Sequence, residues 1–204
     1  STQSRSSAAS DVYKRQAWTS TSRDLTDDKR NRIDKLLNFL ADAGHHTPFE
    51  KSSLHFLVCT DIASHIHIIK HRVGVSVNAE SARYKEIIED KYYAPTDWPG
   101  QWKDILDEYT QEGLELYHSC VNSLVDDYGM DRKRAKESAR FFRSYNTQIT
   151  ADVMFNWRSF GHFQHLRNKS DAQSEIQEIA IKMLEQVKNI EGNPFKHTIK
   201  AFGL

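Results

Sequence analysis

The run from 101 to 128 limits the folds open to this chain more than any other segment. Trp102, Ile105, Leu106, Tyr109, Leu114, Leu116, Tyr117, Val121 and Leu124 recur at helical spacing between polar residues, which predicts one long amphipathic helix. Shorter elements surround it. Thr26, followed by Asp27 and Asp28, sets an N-cap and an acidic first turn for a helix through Ile33, Leu36, Leu37 and Leu40, with Gly44 as its stop. SSLHFLVCT (52–60) is apolar and partly β-branched and predicts a strand, after which Asp61 caps a short helix in DIASHIHIIKHR. VGVSVNAES (73–81) is a loop by composition, and YYAPTDWPGQ (92–101) is a Pro-containing surface loop. A further helix opens near Asp131 and runs to about Arg143. NTQITADVMFNW (146–157) reads as a strand, and RSFGHFQHLRN (158–168) and DAQSEIQEIAIKMLEQVKNI (171–190) read as helices. Helices with a few separated strands define an α+β class, not a regular βαβ series.

Composition narrows the function. A chain of 204 residues, 38% apolar and 11% aromatic, suits one domain with a real core. Its formal net charge of zero argues against a general nucleic-acid binder and leaves room for a local anion site. Cys59 and Cys120 are the only cysteines and form no C-x-x-C, so a disulfide or metal-thiolate framework is a poor reading and a reducing cytoplasm is expected. The apolar runs are too short to span a bilayer. SSAASDVYKRQ (6–16) lacks the apolar core of a secretory signal. It resembles the in-frame translation of a transposase sequencing adapter. Residues 1–16 are therefore expected to be non-native and to stand in place of the natural N-terminus. Residues 17–204 are expected to form a single domain, mildly acidic once those sixteen are set aside.

Three segments concentrate polar chemistry. GHHTPFE (44–50) serves equally well as a helix stop with a Pro turn. KHRVGVSVNAESARYKE (70–86) mixes Lys70, Arg72, Arg83 and Lys85 with Ser76, Asn78 and Ser81. A solvated charged face is the ordinary fate of such a run, but hydroxyls and amides beside arginine are also what an anion site needs. The third segment, Arg140 to Arg167, holds Asn156, Arg158, His162, His165 and Arg167. On a helix Arg158, His162 and His165 share one face. His67 and His71 stand at i, i+4 on a predicted helix, the spacing of two imidazoles on one ion. Lys70 and Arg72 would repel that ion, so a metal hydrolase is the weaker reading. Neither cysteine has a His or Lys beside it to activate it. No P-loop and no G-x-G-x-x-G is present, so a nucleotide cofactor must be held by side chains.

Together these motifs resemble one family. KHRVGVSVNAESARY is similar to the signature of flavin-dependent thymidylate synthases: Arg-His-Arg, seven residues, then Ser, closed by Ser-x-Arg-Tyr. GHHTPFE resembles that family's Gly-His-x-Thr/Ser-Pro-Phe-Glu segment. NWRSFGHFQHLRNKSDAQSEIQ resembles its C-terminal Asn-x-Arg-Ser segment, which ends in Ala-Gln-x-Glu-Ile. The order is the same over roughly residues 17 to 190. The resemblance implies an α+β fold with an antiparallel sheet flanked by helices. It implies a cytoplasmic homotetramer with shared active sites, without nucleic-acid or membrane partners. It also implies synthesis of dTMP from dUMP, with methylenetetrahydrofolate as carbon donor and FAD and NADPH as the reducing system.

By the same resemblance, His45, Thr47, His71, Arg72, Glu80, Asn156, Arg158 and His162 match FAD contacts. His67, Lys70, Ser81, Arg83 and Arg140 match nucleotide-binding positions. Arg167 matches the arginine that binds and activates the pyrimidine. No metal ligand is implied. Three positions depart from the pattern. Lys70 stands for the first Arg of the triplet, keeping charge but not the bidentate fork. Eight residues rather than seven separate Arg72 from Ser81, so the family's Glu falls on Ala79 by spacing or on Glu80 by residue type. Asp171 replaces a His often found in the last segment. Lys70 and the inserted residue motivate a rival reading, a homologue that binds flavin or nucleotide without turnover.

Overall fold

The structure is a computed structural model that describes residues 17–18, 26–81 and 91–204. In chain order its elements are α1 (Asp27–Asn31), α2 (Ile33–Asp42), a 3-10 turn (Thr47–Lys51), β1 (Leu54–Asp61), α3 (Ile62–Ile69) and β2 (Val75–Ala79). There follow α4 (Gly100–Asp126), α5 (Arg132–Ala139), a second 3-10 turn (Arg140–Phe142), β3 (Gln148–Phe155), α6 (Trp157–Arg167), α7 (Ser174–Lys188) and α8 (Lys196–Ala201). The strands form one sheet in the order β1-β3-β2. Asn156 N–H donates to Gly74 C=O, and Glu80 N–H donates to Thr150 C=O. Rising numbers on β2 thus meet falling numbers on β3, so the pair is antiparallel. This is the α+β class expected from the sequence. No helix among the described residues is long and apolar enough to cross a membrane.

Local chemistry explains most boundaries. Thr26 caps α1, its hydroxyl accepting from Lys29 N–H at 3.4 Å. The expected single helix from Asp27 to Gly44 is two, because Arg32 leaves helical geometry and its N–H is shared between the carbonyls of Asp28 and Lys29. Gly44, at φ +71°, closes α2, and His45 N–H reaches back to Leu40 C=O in the manner of a left-handed C-cap. Asp61 caps α3 as expected, accepting from Ser64 N–H at 2.8 Å, and Asp131, near which a helix was expected to open, caps α5 by accepting from Arg134 N–H at 3.0 Å. The helix expected to reach Arg143 stops at Ala139 and passes into the 3-10 turn.

One expectation is corrected. VGVSVNAES is not all loop, because Val75–Ala79 is strand β2. Val75, Val77 and Ala79 are half-buried while Ser76 and Asn78 are exposed, a two-residue alternation. The polar outward positions hide that alternation when the segment is read by composition.

The chain divides into two compact units. Described residues of the first are 17–18, 26–56, 71–76 and 153–204, and of the second 57–70, 77–81 and 91–152. The first unit has an aromatic core. Phe56 stacks on Phe160 at 5.6 Å, Phe155 meets Phe163 at 5.2 Å, and Trp157 stacks on Phe195 at 5.1 Å. Gln164, fully enclosed, donates to Ala180 C=O at 2.9 Å and ties α6 to α7. Asp34 of α2 holds His197 and Lys200 of α8.

The second unit packs α4 against α5. Tyr117, Val121, Ala135 and Ala139 form a buried cluster, flanked by Cys120, Leu124, Val125 and Met130. Asn146 Nδ2 donates to Thr110 Oγ1 at 3.0 Å, anchoring the start of β3 to the middle of α4. The apolar residues of α4 fall into two stripes. Thr110, Leu114, Tyr117 and Val121 are buried, whereas Trp102, Ile105, Tyr109 and Leu116 are exposed along another line of the helix.

Candidate functional site

The richest polar surface of the first unit is built on α6. Trp157, Phe160, Phe163 and Gln164 turn inward, so Arg158, His162 and His165 are left exposed on the opposite side. The start of the helix is tied to the segment before β2. Asn156 Oδ1 accepts from Ser159 N–H at 2.9 Å as the N-cap, while Asn156 N–H donates to Gly74 C=O at 2.9 Å. Ser159 Oγ donates to Val73 C=O at 2.5 Å. Gly74 sits at φ +67°, and a Cβ there would lie 2.3 Å from Asn156 Nδ2 and 2.4 Å from Ser159 Oγ. Only glycine fits so close a clamp without strain.

That clamp delivers His71 to α6. Its ring meets Phe163 edge-on at 5.1 Å and His162 at 6.0 Å. Arg167 Nε–H donates to His71 Nε2 at 3.2 Å. Arg72, next in the chain, is exposed. GHHTPFE reaches the same helix by another route. Phe49 is fully buried, edge-on to Phe202 at 4.9 Å, with His46 tilted on Phe202 at 5.8 Å. His45 and Thr47 are left exposed. Glu50 accepts from Arg158 Nη1 at 2.5 Å. Sequence reasoning missed Glu50, although it is the only carboxylate of that motif.

The structure therefore brings His71, His162 and Arg167 together, and Arg158 with Glu50. His165 is set apart from its face-mates, its Nε2 lying 2.8 Å from Phe202 C=O at the end of the chain.

In the second unit His67 is half-buried on α3 and Lys70 is exposed at its C-cap. His65, one turn from the Asp61 cap, is buried, its Nδ1 has no hydrogen-bond partner among the described residues, and loss of hydration lowers its pKa from the ordinary value. Thr150 N–H donates to Glu80 Oε2 at 3.2 Å, so the Glu80 side chain continues the ladder between β2 and β3. Ser81 is half-buried, and Arg140 is exposed at the start of the second 3-10 turn. Arg83 lies outside the described residues.

The premise of the metal reading fails. Helix α3 ends at Ile69, so His71 is past the helix and the i, i+4 spacing from His67 no longer sets a shared face. Its Nε2 faces a guanidinium. Among the described residues, no three His, Cys, Asp or Glu side chains gather in a way that could hold an ion.

The donor set of the first unit fits an anionic dinucleotide. Arg72 and Arg158 present guanidinium groups, and His45, Thr47 and His162 present exposed ring nitrogens and a hydroxyl. These are the groups that hold a pyrophosphate when no glycine-rich turn does so.

Comparison with known proteins agrees with this chemistry. A sequence profile of the family described as thymidylate synthase complementing protein matches residues 2–191. The chain belongs to this family. A flavin-dependent thymidylate synthase of Clostridium tetani is 28% identical over 186 residues, covering 86% of this chain and 73% of the relative. That of Pseudothermotoga lettingae is 29% identical, covering 82% of this chain and 75% of the relative. That of Thermosipho melanesiensis is 32% identical, covering 75% and 70%. The three-motif resemblance read from the sequence is thus the family the chain belongs to.

Proposed function

We propose that this chain is a flavin-dependent thymidylate synthase, an enzyme that methylates dUMP to dTMP with methylenetetrahydrofolate as carbon donor and FAD and NADPH as reductants. The observation that carries the reading is the convergence on α6 of three motifs far apart in the sequence. GHHTPFE arrives through Glu50 and Arg158, KHRVG through Gly74 and Asn156 and through His71 and Arg167, and the third motif is α6 itself.

FAD, when bound, supplies the transfer of reducing equivalents from NADPH to the one-carbon unit. Arg72 and Arg158 neutralise its pyrophosphate. His45, Thr47, His71, Glu80 and His162 supply further polar contacts. Asn156 offers its Nδ2 amide, since its Oδ1 is committed to the helix cap. Lys70, Arg83 and Arg140 supply positive charge for the phosphate dianion of dUMP, and His67 and the Ser81 hydroxyl supply further polar groups. Arg167 places positive charge at the N3/O4 edge of uracil and stabilises the negative charge that develops as C5 becomes nucleophilic.

The three motifs that carry the reading all lie within residues 17–204. The protein works in the cytoplasm as a homotetramer. The exposed line of Trp102, Ile105, Tyr109 and Leu116 on α4 supports subunit packing, because such an apolar stripe is ordinarily covered.

The visible absorption spectrum tests the cofactor assignment. Protein loaded with FAD and freed of excess is expected to keep an oxidised-flavin spectrum that bleaches on adding NADPH. A protein that keeps no flavin under these conditions contradicts the assignment.

A further inference from the structure

We infer that His71 is a positioning residue for Arg167, holding the guanidinium through a neutral imidazole whose Nε2 accepts the Arg167 Nε–H. The role of Arg167 itself rests on the thymidylate synthase reading above. Arg167 is the last residue of α6, where a long side chain has many rotamers to choose from. The 3.2 Å bond to His71 fixes the plane of its guanidinium through Nε. Both Nη groups then remain for a ligand, and among the described residues neither has another hydrogen-bond partner. A planar donor pair held in one orientation is what recognition of an oxygen–nitrogen base edge requires.

His71 can act as the holder because it is itself held. The Gly74–Asn156 and Val73–Ser159 bonds fix its segment, and Phe163 and His162 flank its ring. The donor is a permanent cation, so the bond requires the Nε2 lone pair. The ring must be neutral, with its proton on Nδ1. The resemblance that places His71 at the flavin therefore leaves it a second task, directed at the pyrimidine.

Two measurements test this. In protein labelled with 15N at histidine and free of cofactor, His71 is expected to carry its proton on Nδ1. In Arg167→Ala the proton is expected to move toward Nε2, the site favoured in free imidazole side chains. A wild-type His71 protonated on Nε2, or a tautomer unmoved by Arg167→Ala, overturns the inference.

The second measurement uses FAD-saturated enzyme, with FAD affinity followed separately for each variant. His71→Phe keeps a ring but no acceptor, and kcat/KM for dUMP is expected to fall about tenfold, the size of one lost charge-assisted hydrogen bond. His71→Gln restores an acceptor and is expected to recover most of that loss. In the Arg167→Ala background, His71→Phe is expected to add no further loss. An undiminished effect of His71→Phe in that background would show that His71 acts apart from Arg167. Failure of the functional reading would look different: no dTMP from wild type, with the tautomer result still deciding the contact.

Discussion

Asn156 joins two distant segments by using its backbone and its side chain on different partners, and Gly74 is the residue that makes room for it. Its φ of +67° and the 2.3 Å approach of Asn156 Nδ2 both exclude a side chain. Gly74→Ala is expected to cost more than about 1 kcal/mol of stability, read as a lower urea midpoint with an unchanged slope, and an unchanged midpoint would contradict the clamp. His65 carries a pH dependence of a defined sign. Burial lowers its folded-state pKa below the ordinary histidine value of about 6.5, so the unfolded chain binds the proton more readily. Its stabilising contribution is whole above that value and is lost as pH falls from there through the lower folded-state pKa. Wild type is therefore expected to lose more stability than His65→Gln between pH 7.5 and acidic pH, and parallel losses would refute the assignment. At this scale the sequence was only partly legible. Spacing placed Arg158, His162 and His165 on one face of a helix. It did not separate exposed His45 from packed His46, nor reveal that Glu50 reaches Arg158, because both follow from the burial of Phe49 against Phe202.

Helix α6 shows what periodicity can carry. Its inward residues and its exposed Arg158, His162 and His165 follow the 3.6-residue repeat closely enough to be read directly. The repeat says nothing about its neighbours. Gly161 looks like a weak point in a helix, yet a Cβ there would lie 2.4 Å from the Phe202 ring. Gly161→Ala is expected to destabilise the protein even though alanine is favoured in helices by about 1 kcal/mol, and a urea midpoint at or above wild type would count against this packing. The same limit explains β2. Its alternation is real, but Ser76 and Asn78 on the outer face give it the composition of a loop, and only its pairing with β3 makes it a strand. Helix α4 was legible as one long helix. Its division into two stripes was not, because only the packing of α5 shows which line of residues is covered.

At the scale of the whole molecule, the exposed stripe of α4 is the surface on which the proposed homotetramer can be tested. Tyr109 is 62% exposed in the single chain, and its replacement by glutamate would put a charge on that line. If the proposed tetramer packs through this stripe, Tyr109→Glu is expected to shift sedimentation from tetramer to smaller species while leaving the unfolding of the separated chain unchanged. An unaltered tetramer would remove α4 from the interface. Family membership, the antiparallel sheet and the convergence on α6 all bear on one reaction, which can be assayed directly. The measurement is formation of dTMP by FAD-loaded protein given dUMP, methylenetetrahydrofolate and NADPH, with parallel mixtures lacking FAD or carrying Arg167→Ala. The complete mixture is expected to form dTMP, the mixture without flavin none, and Arg167→Ala is expected to lose on the order of a hundredfold or more in rate. Flavin-loaded wild type that makes no dTMP, or an Arg167→Ala variant of undiminished rate, would contradict the proposed function.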